Sequence, residues 1–238
     1  MGLGNVGISE TYPEVSKEVM ETKLEVLKER FLTNYNPDIK ERIDRIKRIQ
    51  ALVEENIDRF HKALADDFGT RHEQLSLLAD TMPVINNAKD VLKHIHKWVK
   101  PEKRKPNFPL GLLGSKAYVQ FQPYGVVGVI SPWNFPLTLS LAPLIEIFAA
   151  GNNAMMKLSE FVPATSDLTE ELVDKFFTEK EVVVINGGPK TSADFASLTF
   201  DHLLFTGSTN VARKVSETTA KNLVPLTLEL GGKSPVLI

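Results

Sequence analysis

The sequence predicts an α/β fold in which a helical N-terminal region is followed by a parallel sheet with helices on both faces. Three observations carry the prediction. Apolar residues recur at helical spacing through the first hundred positions. Beyond residue 115, short apolar runs alternate with helical patterns, as right-handed strand–helix–strand units require. Most of those strand-like runs close on Gly, Ser, Pro or Asn, the residues that turn a chain.

The elements follow in order. Met20, Leu24, Leu27 and Phe31 form a first helical stripe. Asn36 then reads as an N-cap with Pro37 at the first helical position. Ile39, Ile43, Ile46, Val53, Ile57, Phe60 and Leu64 make one continuous stripe that ends near Gly69. A third stripe carries Leu75, Leu78, Met82, Leu92, Ile95 and Val99, with a kink expected at Pro83. Charge runs such as Lys40-Glu41-Arg42 read as solvated helix faces. Residues 100–114, interrupted by Pro101, Pro106, Pro109, Gly111 and Gly114, read as a crossing segment.

From there the pattern gives strands at 118–122 and Val126–Ile130, then a helix at 137–149 ending at Gly151. A strand at 154–158 is followed by a helix at 163–177, with Thr169 and Glu171 on its polar side. Val182–Ile185 is a strand closing on Asn186-Gly187-Gly188, and 202–205 is a strand closing on Thr206-Gly207-Ser208. A helix at 211–220 and a strand at Leu226–Leu230 precede Gly231-Gly232.

Composition removes several function classes. Lys+Arg 28 against Asp+Glu 30 gives a net charge of −2, without the basic excess of a nucleic-acid binder. The absence of Cys excludes disulfides and Cys-based metal sites. His94 and His96 fall on different faces of a helix, which argues against a metal pair. Residues 1–10 show no basic segment followed by an apolar core, so no signal peptide is expected. The uncharged stretch 117–145 contains Pro123, Pro132, Pro136 and Pro143. That series reads as buried strands and a helix, not as a membrane span. A cytoplasmic protein is the expectation.

In an open parallel sheet, ligands bind beyond the C-terminal ends of the strands. Those ends carry Pro132-Trp133-Asn134, then Lys157-Leu158-Ser159-Glu160, Gly187-Gly188, Gly207-Ser208 and Glu229-Leu230-Gly231-Gly232. Together they offer an amide, a cation, two carboxylates and several tight turns, a plausible dinucleotide crevice with a catalytic edge. Asn134 sits between two prolines directly after an apolar run. The prolines restrict the backbone around it, and a preorganised amide is what an oxyanion needs. Lys157 reads either as a snorkelling surface residue or, with Glu160, as a ribose-hydroxyl partner. Gly207-Ser208 reads either as a helix cap or as a phosphate site at a helix N-terminus. Glu229 reads either as a strand-end surface residue or as a carboxyl whose pKa burial raises, suiting a general base. The G-x-G-x-x-G fingerprint is absent, so any dinucleotide binds in another way.

Pro132-Trp133-Asn134-Phe135-Pro136, Lys157-Leu158-Ser159-Glu160, Phe205-Thr206-Gly207-Ser208-Thr209 and Leu228-Glu229-Leu230-Gly231-Gly232-Lys233-Ser234-Pro235 occur in one order and spacing. In both respects they resemble the aldehyde dehydrogenase superfamily. Gln122-Pro123-Tyr124-Gly125 and Val184-Ile185-Asn186-Gly187-Gly188 resemble its class 3 branch, particularly the coniferyl aldehyde dehydrogenases. The match covers nearly the whole chain but only the N-terminal half of the family.

The resemblance implies a Rossmann-like cofactor domain at 115–230, a helical part at 1–114 packing on it, and the start of a catalytic domain at 231–238. It implies oxidation of a small aldehyde, with coniferyl aldehyde as the candidate, to an acid by NAD, with NADP as the alternative, and a homodimer for the full-length protein. A Cys thiolate attacks the carbonyl, Asn134 donates to the oxyanion, and hydride leaves to the nicotinamide. The resulting thioester is hydrolysed by water that Glu229 activates. By the same resemblance Ile130, Ser131, Pro132 and Trp133 would line the adenosine side. Lys157 and Glu160 would hold the ribose, and Gly188, Gly207, Ser208, Val211 and Gly231 would complete the cofactor site.

Two departures accompany the resemblance. Ala212 stands where the family often has Gly. The family's nucleophilic Cys lies beyond Ile238, so the chain reads as a fragment that is inactive alone. Two other readings remain at this point: a non-catalytic nucleotide-binding or interaction module, and a reductase of acyl phosphates or acyl-CoA esters on the same fold. Glu229 speaks against the reductase, which needs no water-activating base.

Overall fold

In a computed structural model of the protein, residues 12–237 are described. The stretch 1–10, which the sequence reads as lacking a signal peptide, and Ile238 lie outside them.

Helix α1 (Lys17–Thr33) starts at Ser16, whose hydroxyl accepts from the Val19 N–H. Helix α2 (Ile39–Glu54) is capped by Asp38, which accepts from the Glu41 N–H at 2.8 Å. The expected cap, Asn36, instead accepts from Arg42 Nη2 at 2.7 Å. The long stripe after Ile39 is two helices. Asn56 turns its amide back onto the Leu52 carbonyl at 2.9 Å, competing with the helix ladder, and α3 (Ile57–Phe68) restarts the pattern up to Gly69.

Next come the short α4 (Glu73–Ser76), a π-helical turn at Leu77–Thr81, and α5 (Met82–Trp98) with Pro83 in its first turn. The wider turn shifts the phase of the stripe. Leu75, Leu78 and Met82 are exposed, while Ser76, Asp80 and Thr81 point inward.

Strands β1 (Glu102–Arg104) and β2 (Ala117–Val119) form a separate antiparallel pair, shorter than the strand expected at 118–122. The main sheet is built from β3 (Val126–Ile130), β4 (Asn153–Lys157), β5 (Val182–Ile185), β6 (His202–Gly207) and β7 (Leu226–Leu230). Between them run α6 (Thr138–Ala149), α7 (Pro163–Phe176), α8 (Pro189–Ala196) and α9 (Thr209–Ala220). All pairings are parallel, in the order β5-β4-β3-β6-β7.

One face of the sheet is covered through Met20, Leu24, Phe195 and Val215, from α1, α8 and α9. The other is covered through Ile46, Val91, Phe148 and Leu172, from α2, α5, α6 and α7. Thr169 faces this core, not solvent, and donates its hydroxyl to the Thr165 carbonyl at 2.7 Å. Every residue of β3 and β4 is buried, as expected for central strands of a covered parallel sheet.

The chain steps from β3 outward to β5 and then returns to β6 on the opposite side of β3. The reversal between β3 and β6 is the switch point where a ligand crevice forms.

Candidate functional site: a crevice at the switch point

Ile130 at the end of β3 pairs with Phe205 of β6. Beyond that pair the chains diverge, β3 into Ser131-Pro132-Trp133 and β6 into Gly207-Ser208. A cleft of about 490 Å³ opens between them, with Ile130, Ser131, Pro132 and Trp133 on one side and Gly207, Ser208 and Val211 on the other. Ser131 is tied in place by its N–H, which donates to the Lys157 carbonyl at 3.1 Å.

Ser208 caps α9 by accepting from the Val211 N–H. The cap leaves other first-turn N–H groups of α9 without helical acceptors, at the end where the helix dipole favours an anion. The cap reading of Ser208 is thus met.

Glu160 also lines the cleft. Its Oε2 accepts from Lys157 Nζ at 3.2 Å, and Nζ also donates to the Leu158 carbonyl at 2.5 Å. Among the described residues Glu160 Oε1 has no protein donor, so it is a free acceptor at the cleft. Lys157 is buried behind Glu160 and is not part of the cleft wall. Burial lowers the Lys157 pKa, and Glu160 opposes that shift.

Gly188 is not on the cleft wall either. A side chain there would meet Glu14 Oε1 at 2.5 Å. Glu14 occupies the start of α8, accepting from the Thr191 N–H at 2.6 Å and the Thr191 hydroxyl at 2.5 Å. The hydroxyl bond is the main cause of its lowered pKa. Gly188 is thus small to admit a carboxylate of the same chain.

Asn134 is exposed, and its backbone carbonyl accepts from Arg71 Nη2 at 2.5 Å. Glu229 is exposed too. Among the described residues β7 is an edge strand paired only with β6, and Glu229 and the following Gly231 are exposed.

Residues 8–238 match the family model described as the aldehyde dehydrogenase family. The chain belongs to that family.

A probable coniferyl aldehyde dehydrogenase of Caulobacter vibrioides is 48% identical over 226 residues, 94% of this chain and 47% of that protein. Aldehyde dehydrogenase family 3 member F1 of Arabidopsis thaliana is 34% identical, over 94% of this chain and 46% of that protein. An aldehyde dehydrogenase of Bacillus cereus, solved as its NAD+ complex, superposes with a TM-score of 0.81 at 26% identity, over 93% of this chain and 45% of that chain. The chain spans about half the length of the curated relatives it matches.

The sequence pattern missed α8. Pro189, Ser192 and Ala193 of that helix line the cleft. Gly188 followed by Pro189 carried the signal, because Pro is favoured at a first helical position. Phe161 and Lys214 also line the cleft, and no motif marked them. Among the described residues there is no cluster of metal-ligating side chains and no helix long and apolar enough to cross a membrane.

Proposed function

We propose that this chain is the cofactor-binding half of an enzyme that oxidises a small aldehyde to its carboxylic acid with NAD(P)+ through a Cys thioester. The observation that supports the reading most is the switch-point cleft, which combines a free carboxylate acceptor, a helix N-terminus and apolar walls. These residues fit a dinucleotide. Glu160 would accept from a ribose hydroxyl, with Lys157 holding its charge from behind. The start of α9 after Gly207 and Ser208 would take a phosphate, and Trp133, Pro189 and Val211 would enclose the base. When bound, the nicotinamide supplies hydride acceptance.

The chain's own contribution to the chemistry is a hydrogen-bond donor and a proton acceptor. Asn134 would donate to the carbonyl oxygen as negative charge develops on it, a bond whose loss costs roughly 3 kcal/mol of barrier in comparable sites. Glu229 would take a proton from the water that releases the acid. Burial of Glu229 would then have to come from outside the described residues. The chain has no Cys, so the thiolate must also come from outside it, and the chain alone is inactive. The relatives of the coniferyl type support coniferyl aldehyde as the substrate. A cytoplasmic location, a homodimer of the longer protein, and a division at 115–230 between cofactor domain and flanking parts belong to the same proposal.

Titration of the chain with NAD+ and NADP+, read by tryptophan emission and by calorimetry, tests it. Saturable NAD+ binding that weakens about tenfold in Glu160→Gln is the expected result, with NADP+ weaker because a 2′-phosphate meets the Glu160 carboxylate. No nucleotide binding would overturn the cofactor reading. Turnover of aldehyde by the chain alone would overturn the need for an external thiolate. The absence of Cys also favours a second reading for the chain by itself, a nucleotide-binding module without chemistry, which predicts the same binding and no turnover in any longer form.

A further inference from the structure

The Pro132–Pro136 turn is held at its centre and just past its C-terminal end by one buried ion pair. Arg71 Nη2 donates to the Asn134 carbonyl at 2.5 Å, and Arg71 Nη1 donates to Asp80 Oδ2 at 2.7 Å. Asp80 Oδ1 in turn accepts from the Leu137 N–H at 3.2 Å. The chain of contacts therefore runs from the carbonyl of the turn's central residue to the first N–H after it. The Arg71 side chain is 8% exposed and that of Asp80 0%.

The local sequence builds the clamp deliberately. The π-helical turn Leu77–Thr81 closes with the Met82 N–H on the Leu77 carbonyl and swings Asp80 inward. Pro83 has no N–H, so the Ala79 carbonyl four residues earlier lacks its helical donor. The Thr138 hydroxyl, at the start of α6, supplies one at 2.7 Å. A π-helical turn placed at a functional segment is a recurrent arrangement. Arg71 also stacks over Phe68, 3.7 Å from the ring centroid, and Phe68 lies 6.3 Å from the Trp133 ring. The same guanidinium thus buttresses the residue that lines the cofactor cleft.

A buried ion pair is a poor device for stability, because desolvation consumes most of its attraction. It is a good device for direction, since the planar guanidinium fork fixes two acceptors at once. We propose that Arg71 and Asp80 are positioning residues that hold the Asn134 turn in the orientation the reaction needs. The proposal rests on the reading of Asn134 as an oxyanion donor and of Trp133 as a cofactor contact.

Three variants of the 238-residue chain test it: R71K, R71A and D80N. Amide hydrogen exchange and heteronuclear NOEs report the turn, and NAD+ titration reports the cleft. In the wild type the Leu137 amide is protected, and the Asn134 and Phe135 amides are as rigid as those of β3. In R71K, which keeps the charge but loses the fork, Leu137 protection falls about tenfold more than that of Val127 and Val129. The Asn134 and Phe135 amides become mobile, and NAD+ affinity drops several-fold. D80N behaves alike, and R71A shows the larger effect.

Full rescue of turn order by R71K, or uniform loss of protection across the core, would reduce Arg71 to a plain stabilising residue and overturn the proposal. An unprotected Leu137 amide in the wild type would do so even if every variant failed to fold. Absence of NAD+ binding in the wild type would sink the cofactor reading while leaving the exchange data to decide the clamp.

Discussion

Lys157 Nζ lies 3.2 Å from Glu160 Oε2, with the lysine side chain 1% exposed and the glutamate 23% exposed. The pair places a buried cation directly behind a carboxylate that faces the cleft. Breaking it from the outside leaves the ammonium buried and unpaired, which is the costly direction. Glu160→Ala is therefore expected to destabilise the chain by about 2 kcal/mol. K157M/E160A should recover much of that loss, because the stranded charge is gone. Urea titration of the two single variants and the double variant gives the coupling, and a coupling of zero would show that the pair is not energetically linked.

His202 yields a pH prediction. Its ring stacks on Tyr124 with centroids 5.4 Å apart, and Nε2 meets Thr227 Oγ1 at 2.9 Å. Nδ1 is buried without a partner among the described residues. Burial pushes the His202 pKa below its ordinary 6.5. The folded state thus holds the neutral ring, and its contribution is fully present above pH 6.5. It is lost as pH falls through the lowered value, because the unfolded chain takes the proton first. Melting temperature should decline from pH 7.5 to 5.5, by less in His202→Gln. An identical decline in both proteins would assign the effect to other groups.

Gly128 lies in the middle of β3, where a Cβ would come within 2.7 Å of Leu203 and of the Phe200 ring. Gly128→Ala is expected to cost about 1–3 kcal/mol by overpacking. It should also weaken nucleotide binding, since the strain falls on the β3–β6 contact that frames the crevice. Guanidinium unfolding and NAD+ titration check the two effects separately. Unchanged stability would mean that the sheet yields at this point more easily than its packing indicates.

Arg45 spans the helical layer and the sheet. Its side chain is 2% exposed, and Nη2 donates to Glu41 at 2.6 Å. Nη1 donates to Asn153 Oδ1 at 3.1 Å. Nε lies 3.3 Å from Glu181 but is too poorly aligned for a hydrogen bond. Arg45→Met should destabilise by about 3 kcal/mol, the low end for a broken buried pair, because Glu181 keeps Arg48 at 2.6 Å. A loss well under that in thermal or urea melts would show Arg45 to be dispensable for joining α2 to β4.

Much of this was legible in the residues. Val126–Ile130, Val182–Ile185 and Leu226–Leu230 have the bounds that the apolar runs indicate, since buried parallel strands are continuous runs closed by turn residues. The cleft residues Ile130, Pro132, Trp133, Glu160, Gly207, Ser208 and Val211 stand at strand ends, in the loops that follow or in the first turn of the next helix, where strand–helix units put their ligand-facing side. The helix α8 escaped because eight residues are too few for a periodic stripe to stand out. The break at Asn56 escaped because the apolar phase continues across it, and only a side-chain bond to Leu52 shows that the ladder stops.

By itself the sequence determined the family, the parallel sheet and the loops that face the crevice. Each depends on local period and on residues adjacent in the chain. The tertiary structure alone decided that Lys157 stands behind Glu160, that Glu14 sits where Gly188 makes room, that Glu229 lies on an open edge, and that Arg71 and Asp80 grip the turn around Asn134. The reason is physical. Arg71 and Asn134 are 63 positions apart, and what brings them together is the packing of α3, the π-helical turn and α6. No spacing rule in the sequence encodes that packing.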